Sequence, residues 1–196
     1  MKKVIRNGVL MLSVFATMAS YANKVSYASI TNESKTTTLL LKQVKKGHRL
    51  IIKNENGVVL YKEHIKDSGA YSKEFDLTTL PDGNYVFEIE KDVEIKTIPF
   101  KVSTNKVTFN KDEEITIYKP VVFKRGDLVY ISRSSFTEKP LEYKIYYADN
   151  KDVIASEKFK DDETVERIYN FSKARKGTYK IVFKTEGRVF IQNIKV

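Results

Sequence analysis

Apolar and polar residues alternate with a period of two along most of this chain. In Tyr85-Val86-Phe87-Glu88-Ile89 and again in Tyr179-Lys180-Ile181-Val182-Phe183, the first, third and fifth residues are all apolar. A period of two puts those side chains on one buried face of a strand. Similar runs, rich in β-branched and aromatic residues, cover 38–44, 49–53, 58–65, 71–77, 85–90 and 93–102. Turn signals separate them at Lys46-Gly47, Asn56-Gly57, Ser68-Gly69 and Pro81-Asp82-Gly83, as expected between short antiparallel strands. Asn56-Gly57 predicts a tight hairpin, because glycine takes positive φ without steric cost. No segment keeps helical periodicity over the length of a helix. Residues 23–37 read as a polar leader with a short strand at 25–30.

The stretch Phe75-Asp-Leu-Thr-Thr-Leu-Pro-Asp-Gly-Asn-Tyr85 has a weaker copy at Tyr169-Asn-Phe-Ser-Lys-Ala-Arg-Lys-Gly-Thr-Tyr179. Residues 49–102 align without a gap onto 143–196, with ten identities in 54 positions. The strand between Leu50 and Ile52 alternates out of step with Tyr143, Ile145 and Tyr147, so its register is open by one residue. In the last strand the apolar phase shifts between Ile95 and Phe100, and between Ile191 and Ile194 in the copy. An extra residue in a strand produces such a shift, which predicts β-bulges near Pro99 and Asn193. Residues 106–110 close the first unit, a short linker lies near 111–114, and 113–123 with 127–133 lead into the second. The pattern therefore predicts an all-β chain of two tandem immunoglobulin-like β-sandwich domains. They occupy 38–111 and 112–196, after the leader at 23–37 and a cleaved signal peptide at 1–22.

The signal peptide rests on Lys2, Lys3 and Arg6, an apolar run from Gly8 to Ala19, and a small-residue cut site at Ser20-Tyr21-Ala22. A second candidate cut follows Ala28. The apolar run is short of the roughly 20 residues that span a bilayer, so the mature chain carries no transmembrane segment. The expected location is exported: periplasmic, cell-surface or secreted. With no cysteine, a disulfide framework, thiol catalysis and Cys-ligated zinc are excluded. Net charge is +10, or +7 after Lys2, Lys3 and Arg6 leave. The lysines alternate with acidic residues, in the manner of a solvated strand face. Export argues against nucleic acid as a partner.

Leu77-x-x-Leu-Pro-x-Gly-x-Tyr85, with Ile52-Lys-Asn-Glu-Asn-Gly-Val-Val-Leu60 before it, resembles the turn-and-strand signature of small immunoglobulin-like or fibronectin III-like sandwiches in secreted Bacteroidetes proteins. The C-terminal sorting domain of type IX secretion cargo belongs to that group. The resemblance covers about 55 residues of each copy. It implies a sandwich whose corner tyrosines, Tyr85 and Tyr179, bond back across the turn. The terminal copy reads Arg175-Lys-Gly-Thr-Tyr179 and lacks paired basic residues near its end, a degenerate form of a sorting domain.

Candidate chemistry is sparse. His48 and His64 have no second histidine or cysteine at ligand spacing and read as surface residues. Asp112-Glu-Glu114 and Asp161-Asp-Glu163 lack calcium-loop spacing and read as solvated loops. No Gly-x-Ser-x-Gly elbow is present. No catalytic, cofactor or metal residue is nominated. The chain has 12 tyrosines, 11 phenylalanines and no tryptophan. One of the adjacent strand residues Tyr146 and Tyr147 must face outward, which makes the pair a candidate glycan contact. The expected function is non-catalytic surface contact in the cell envelope, with a protein or glycan partner. A polysaccharide-binding module and a cargo with a degenerate sorting domain are the alternatives.

Overall fold

The computed structural model describes residues 27–33, 35–133, 139–147, 152–160 and 165–196. The signal segment 1–22 and the Asp161–Glu163 cluster lie outside the described residues. Nine strands form the first half: β1 (Ala28–Glu33), β2 (Thr36–Val44), β3 (Arg49–Asn54), β4 (Val59–His64), β5 (Gly69–Phe75), β6 (Gly83–Glu90), β7 (Glu94–Ser103), β8 (Lys106–Phe109) and β9 (Ile115–Tyr118). The second half holds β10 (Val121–Arg125), β11 (Leu128–Arg133), β12 (Leu141–Tyr147), β13 (Val153–Phe159), β14 (Val165–Asn170), β15 (Thr178–Thr185) and β16 (Arg188–Lys195).

Each half is a sandwich of two antiparallel sheets. In the first, β1-β2-β5 faces β4-β3-β6-β7-β8; in the second, β10-β11-β14 faces β13-β12-β15-β16. Three strands face a larger sheet in each half, six strands counting β9 in the first and four in the second, and consecutive strands cross between the sheets, which is the immunoglobulin-like arrangement. The chain is all-β in two tandem copies of this sandwich. One core gathers Leu39, Leu41, Leu50, Ile52, Phe87, Ile89, Ile98 and Phe100. The other gathers Val129, Ile131, Tyr143, Ile145, Val165, Ile181 and Phe183. These are the inward positions of the period-two pattern, and each removes its apolar area from water.

Residues 23–37 do more than lead in. Ala28 and Ile30 pair with Leu41 and Leu39, so β1 is the first strand of the first sandwich, and Ala28 is buried in its core. The Asn56-Gly57 hairpin forms as predicted: Gly57 has φ +77, and Asn54 Oδ1 accepts from the N–H groups of Asn56 and Val58 at 3.1 and 2.9 Å.

The expected bulges near Pro99 and Asn193 are absent. Pairing of β6 with β7 and of β15 with β16 runs in unbroken register. In the first copy the phase shift instead reflects two occupied faces, because Ile95 is buried on the outer face of its sheet, paired with Ile117 of β9. In the second, Ile191 is an apolar residue exposed on the outer face. Pro99 sits between the two segments that pair along the far edge of β7, β9 on Glu94–Thr97 and β8 on Phe100–Ser103. Its missing N–H falls in that gap. Bulges do occur at one equivalent place in both copies, between Ile52 and Lys53 opposite β4 and between Ile145 and Tyr146 opposite β13. The open register is also settled. Ile52 pairs with Phe87 and Ile145 with Ile181, so β12 is one residue out of step with the ungapped alignment.

Sheet pairing extends past 111–114, since β9 still bonds to β7. Lys119-Pro120 connects β9 to β10. Among the described residues no helix is long and apolar enough to cross a membrane.

Candidate binding face

The two corner tyrosines act as expected. Tyr85 donates to the carbonyl of Pro81 at 2.7 Å, and Tyr179 to that of Arg175 at 2.8 Å. Each hydroxyl closes the turn that precedes its strand, so the repeated motif is structural in both copies.

The adjacent tyrosines part ways. Tyr147 is 6% exposed; it donates to the Lys176 carbonyl at 3.0 Å and packs edge-on to Tyr179. Its ring occupies the space above Gly177, where a Cβ would lie 2.5 Å from the hydroxyl. It is a core residue with no free face. Tyr146 points to the opposite side of β12, with Lys180 Nζ 5.5 Å from its ring centre. Of the nominated pair, only Tyr146 stands on an accessible face.

That face is the outer surface of β13-β12-β15-β16. Cross-strand pairing aligns Val153, Tyr146, Lys180 and Asn193 in one row, and Ser156, Lys144, Val182 and Ile191 in the next. Lys158, Glu142, Lys184 and Val189 make a third. Glu142 lies 3.6 Å from Lys144 and 3.5 Å from Lys158. Its partial burial favours the neutral acid, but Lys158, Lys144 and Lys184 together hold the carboxyl below its ordinary pKa.

Two further charged clusters serve structure. In the first sandwich Glu63 of β4 accepts from Tyr61 and from Tyr71 (3.0 Å), and pairs with Lys73 of β5 at 3.2 Å. In the second, Glu157 of β13 accepts from Tyr143 and Tyr169 at 2.8 and 2.6 Å, and from Arg167 of β14 at 2.8 Å. Both clusters tie the edge strand of one sheet to the edge strand of the other. Burial raises the carboxyl pKa of Glu157, but the Tyr169, Arg167 and Tyr143 donors outweigh it and the net shift is downward. Burial and the carboxylate push Tyr169 up to about 12, so its hydroxyl stays protonated and donating. The identity of Glu63 with Glu157 and the likeness of Lys73 to Arg167 were the available sequence signal for these clasps. It was hidden because a charged residue at inward phase on an edge strand reads as a break in the apolar pattern.

His48 is a correction. It is 5% exposed, with Nδ1 accepting from the Lys45 N–H at 3.2 Å and Nε2 lying 3.7 Å from Asp92. Burial lowers its pKa, against the opposing pull of Asp92. It fastens the turn before β3. Among the described residues no group of three His, Asp or Glu could hold a metal ion.

The sandwiches meet through a buried carboxylate. Glu88 of β6, 5% exposed, bonds Lys53 at 2.6 Å and Arg188 of β16. Gln192 donates to the Pro120 carbonyl at 2.7 Å. Burial would raise the pKa of Glu88, but Arg188 and Lys53 bring it below its ordinary value.

No family model and no curated protein matches the chain. Among solved structures it is similar to the BSP domain of a biofilm associated protein, at 15% identity and TM-score 0.28, over 86% of this chain and 29% of that one. It therefore spans under a third of that chain's length. It is also similar to the human OSCAR ligand-binding domain, at 9% identity and TM-score 0.26, over 87% and 97% of the two chains. A third likeness is to the FN1–FN3 domains of chicken CNTN1, at 9% identity and TM-score 0.27, over 86% and 67%. Likenesses this distant carry no functional weight, and the strand order itself establishes the immunoglobulin-like sandwich fold.

Proposed function

We propose that this chain is a non-catalytic, exported β-sandwich protein that acts by surface contact, as an adhesive, structural or accessory component of the cell envelope. In this reading residues 1–22 are removed on export and the two sandwiches divide at Lys119-Pro120. One observation carries it: the described carboxylate clusters are spent on tying sheets and sandwiches together, at Glu63, Glu157 and Glu88. What stays open is a sheet face, which suits recognition better than chemistry. The test is removal of the protein from its cell, followed by fractionation and by assays of attachment and envelope integrity. Loss of attachment or integrity, with the protein found outside the cytoplasm, is the expected result. A cytoplasmic protein whose loss changes neither overturns the reading.

A polysaccharide-binding role is the second reading, favoured by the outward placement of Tyr146 among half-exposed strand residues. Retention on a glycan array, weakened by Tyr146→Ala, is the measurement. Tyr147→Ala tests folding instead, since that ring belongs to the core. A sorting role for the second sandwich predicts that residues 120–196 carry an exported reporter across the outer membrane; a reporter left in the periplasm removes that role.

A further inference from the structure

The outer face of β13-β12-β15-β16 has a composition that its scattered sequence conceals. Among the described residues it carries Lys144, Lys158, Lys180, Lys184 and Lys195 against the single carboxylate Glu142. Glu142 is shared by Lys144 and Lys158, and no described carboxylate comes within ion-pair distance of Lys180, Lys184 or Lys195. Between the lysines run apolar side chains. Val189 and Ile191 are 58% and 59% exposed, with Val153 exposed at the far edge and Val182 beside Ile191 on the neighbouring strand.

At about 4.8 Å between strands and 3.4 Å per residue, this face measures roughly 14 Å by 20 Å. It is cationic and striped with apolar groups. An extended polymer with regularly spaced anions and apolar ring faces complements both properties. Lysines that outnumber the one carboxylate among them raise the local concentration of such a polymer.

We propose that this face is a docking surface for an acidic polysaccharide, a chain of sugar rings bearing carboxylates. The carboxylates meet Lys144, Lys180 and Lys184, and the C–H faces of the rings lie on Val182, Ile191 and Tyr146. The apolar stripes favour this occupant over a nucleic acid, which binds non-specifically through phosphates and stacks its bases on several exposed aromatic rings. Here Tyr146 is the aromatic residue among the described residues of the face. The inference rests on the polysaccharide reading above and narrows it to one charge class.

Titration of the full chain with polygalacturonate, with the same polymer methyl-esterified, and with duplex DNA tests it. The expected result is binding to the acid form, at least about tenfold weaker to the ester, and falling as salt rises from low to high ionic strength. Lys144→Gln/Lys180→Gln/Lys184→Gln weakens the acid form by about tenfold or more. The exposed first-sandwich lysines Lys42, Lys101 and Lys106, changed together to Gln, leave it unaltered. Thermal unfolding confirms that both variants stay folded. Equal binding of acid and ester overturns the acidic preference while leaving the polysaccharide reading intact. Binding of neither removes both. Equal weakening by the two triple variants, or DNA binding as tight as that of polygalacturonate, reduces the face to a general cation surface and overturns the proposal.

Discussion

The same sheet face exists twice in this molecule and has been used in opposite ways. In the first sandwich, Arg49, Ile51 and Lys53 of β3 stand beside Glu88 and Glu90 of β6. Arg49 pairs with Glu90, Lys53 with Glu88, and Lys119 and Arg188 reach in from the connecting segment and the second sandwich. The face is neutralised, and Ile51, Ile95 and Ile117 are buried on it. In the second sandwich the places of Glu88 and Glu90 are held by Val182 and Lys184, and the face stays open and basic. Two carboxylates, exchanged for a valine and a lysine, separate a face that holds the molecule together from one that is free to bind.

The largest expected effect separates the two corners beneath these faces. Gly177 has φ +147, and a Cβ there would lie 2.5 Å from Tyr147 Oη. Gly177→Ala should cost about 2 to 4 kcal/mol, through backbone strain and overpacking together. At Gly83 a Cβ would meet Tyr85 at an ordinary 3.7 Å, and Gly83→Ala should stay within about 1 kcal/mol. Chemical denaturation of both variants compares them, and equal losses would show that the two corners are interchangeable after all.

Next in size is Glu88→Gln. It removes the buried charge that holds the half-buried ends of Lys53 and Arg188, and should cost about 2 to 3 kcal/mol. Cross-linking or scattering should also report looser coupling between the sandwiches. Lys184→Gln, at the place of Glu90 on the open face, should change stability by less than about 0.5 kcal/mol. A Lys184 change as costly as the Glu88 change would contradict the contrast between the faces.

Smaller again are the two side clasps. Glu157→Gln and Glu63→Gln should each cost about 1 to 2 kcal/mol, discounted for partial exposure. The two copies should respond alike, because the clasp is the polar feature they share.

Acid titration separates the sandwiches once more. Glu63, Glu88, Glu90 and Asp92 in the first, and Glu142 and Glu157 in the second, all have lowered pKa values in the fold. A lowered folded-state pKa gives stability that is full above the unfolded value, near 4, and is lost as pH falls through the folded one. Hydrogen exchange followed peptide by peptide from pH 7 to pH 3 should therefore show the first sandwich loosening before the second. Simultaneous loosening would mean that the paired face adds nothing to local stability.

Particular residues show how far the sequence could be read. Tyr85, Phe87 and Ile89 declared their buried face by alternation, because a half-buried strand has no other stable way to place them. The corner role of Tyr85 and Tyr179 followed from the repeat. Pro99 and Asn193 misled for a physical reason. A change of apolar phase can come from an extra residue, from a second covered face, or from an apolar side chain left exposed as Ile191 is, and one dimension cannot separate them. Ile95 belongs to the second kind, being buried where β9 returns to β7. His48 was misread similarly: a polar residue in a turn reads as exposed, and local pattern does not record that Asp92, distant in the chain, lies beside it. The candidate pair Tyr146–Tyr147 was half resolved, since alternation required one outward ring and only strand register chose which.

By itself, the sequence determined the strands, the sandwich class and the twofold repetition, since these follow from local alternation and turn chemistry. The tertiary structure decided which faces are covered. Covering a face depends on strands and loops distant in the chain, as when Arg188 meets Glu88, and local periodicity carries no record of such meetings. The same long-range pairing gathers Lys144, Lys180 and Lys184 from two strands onto one surface, where their charge acts together.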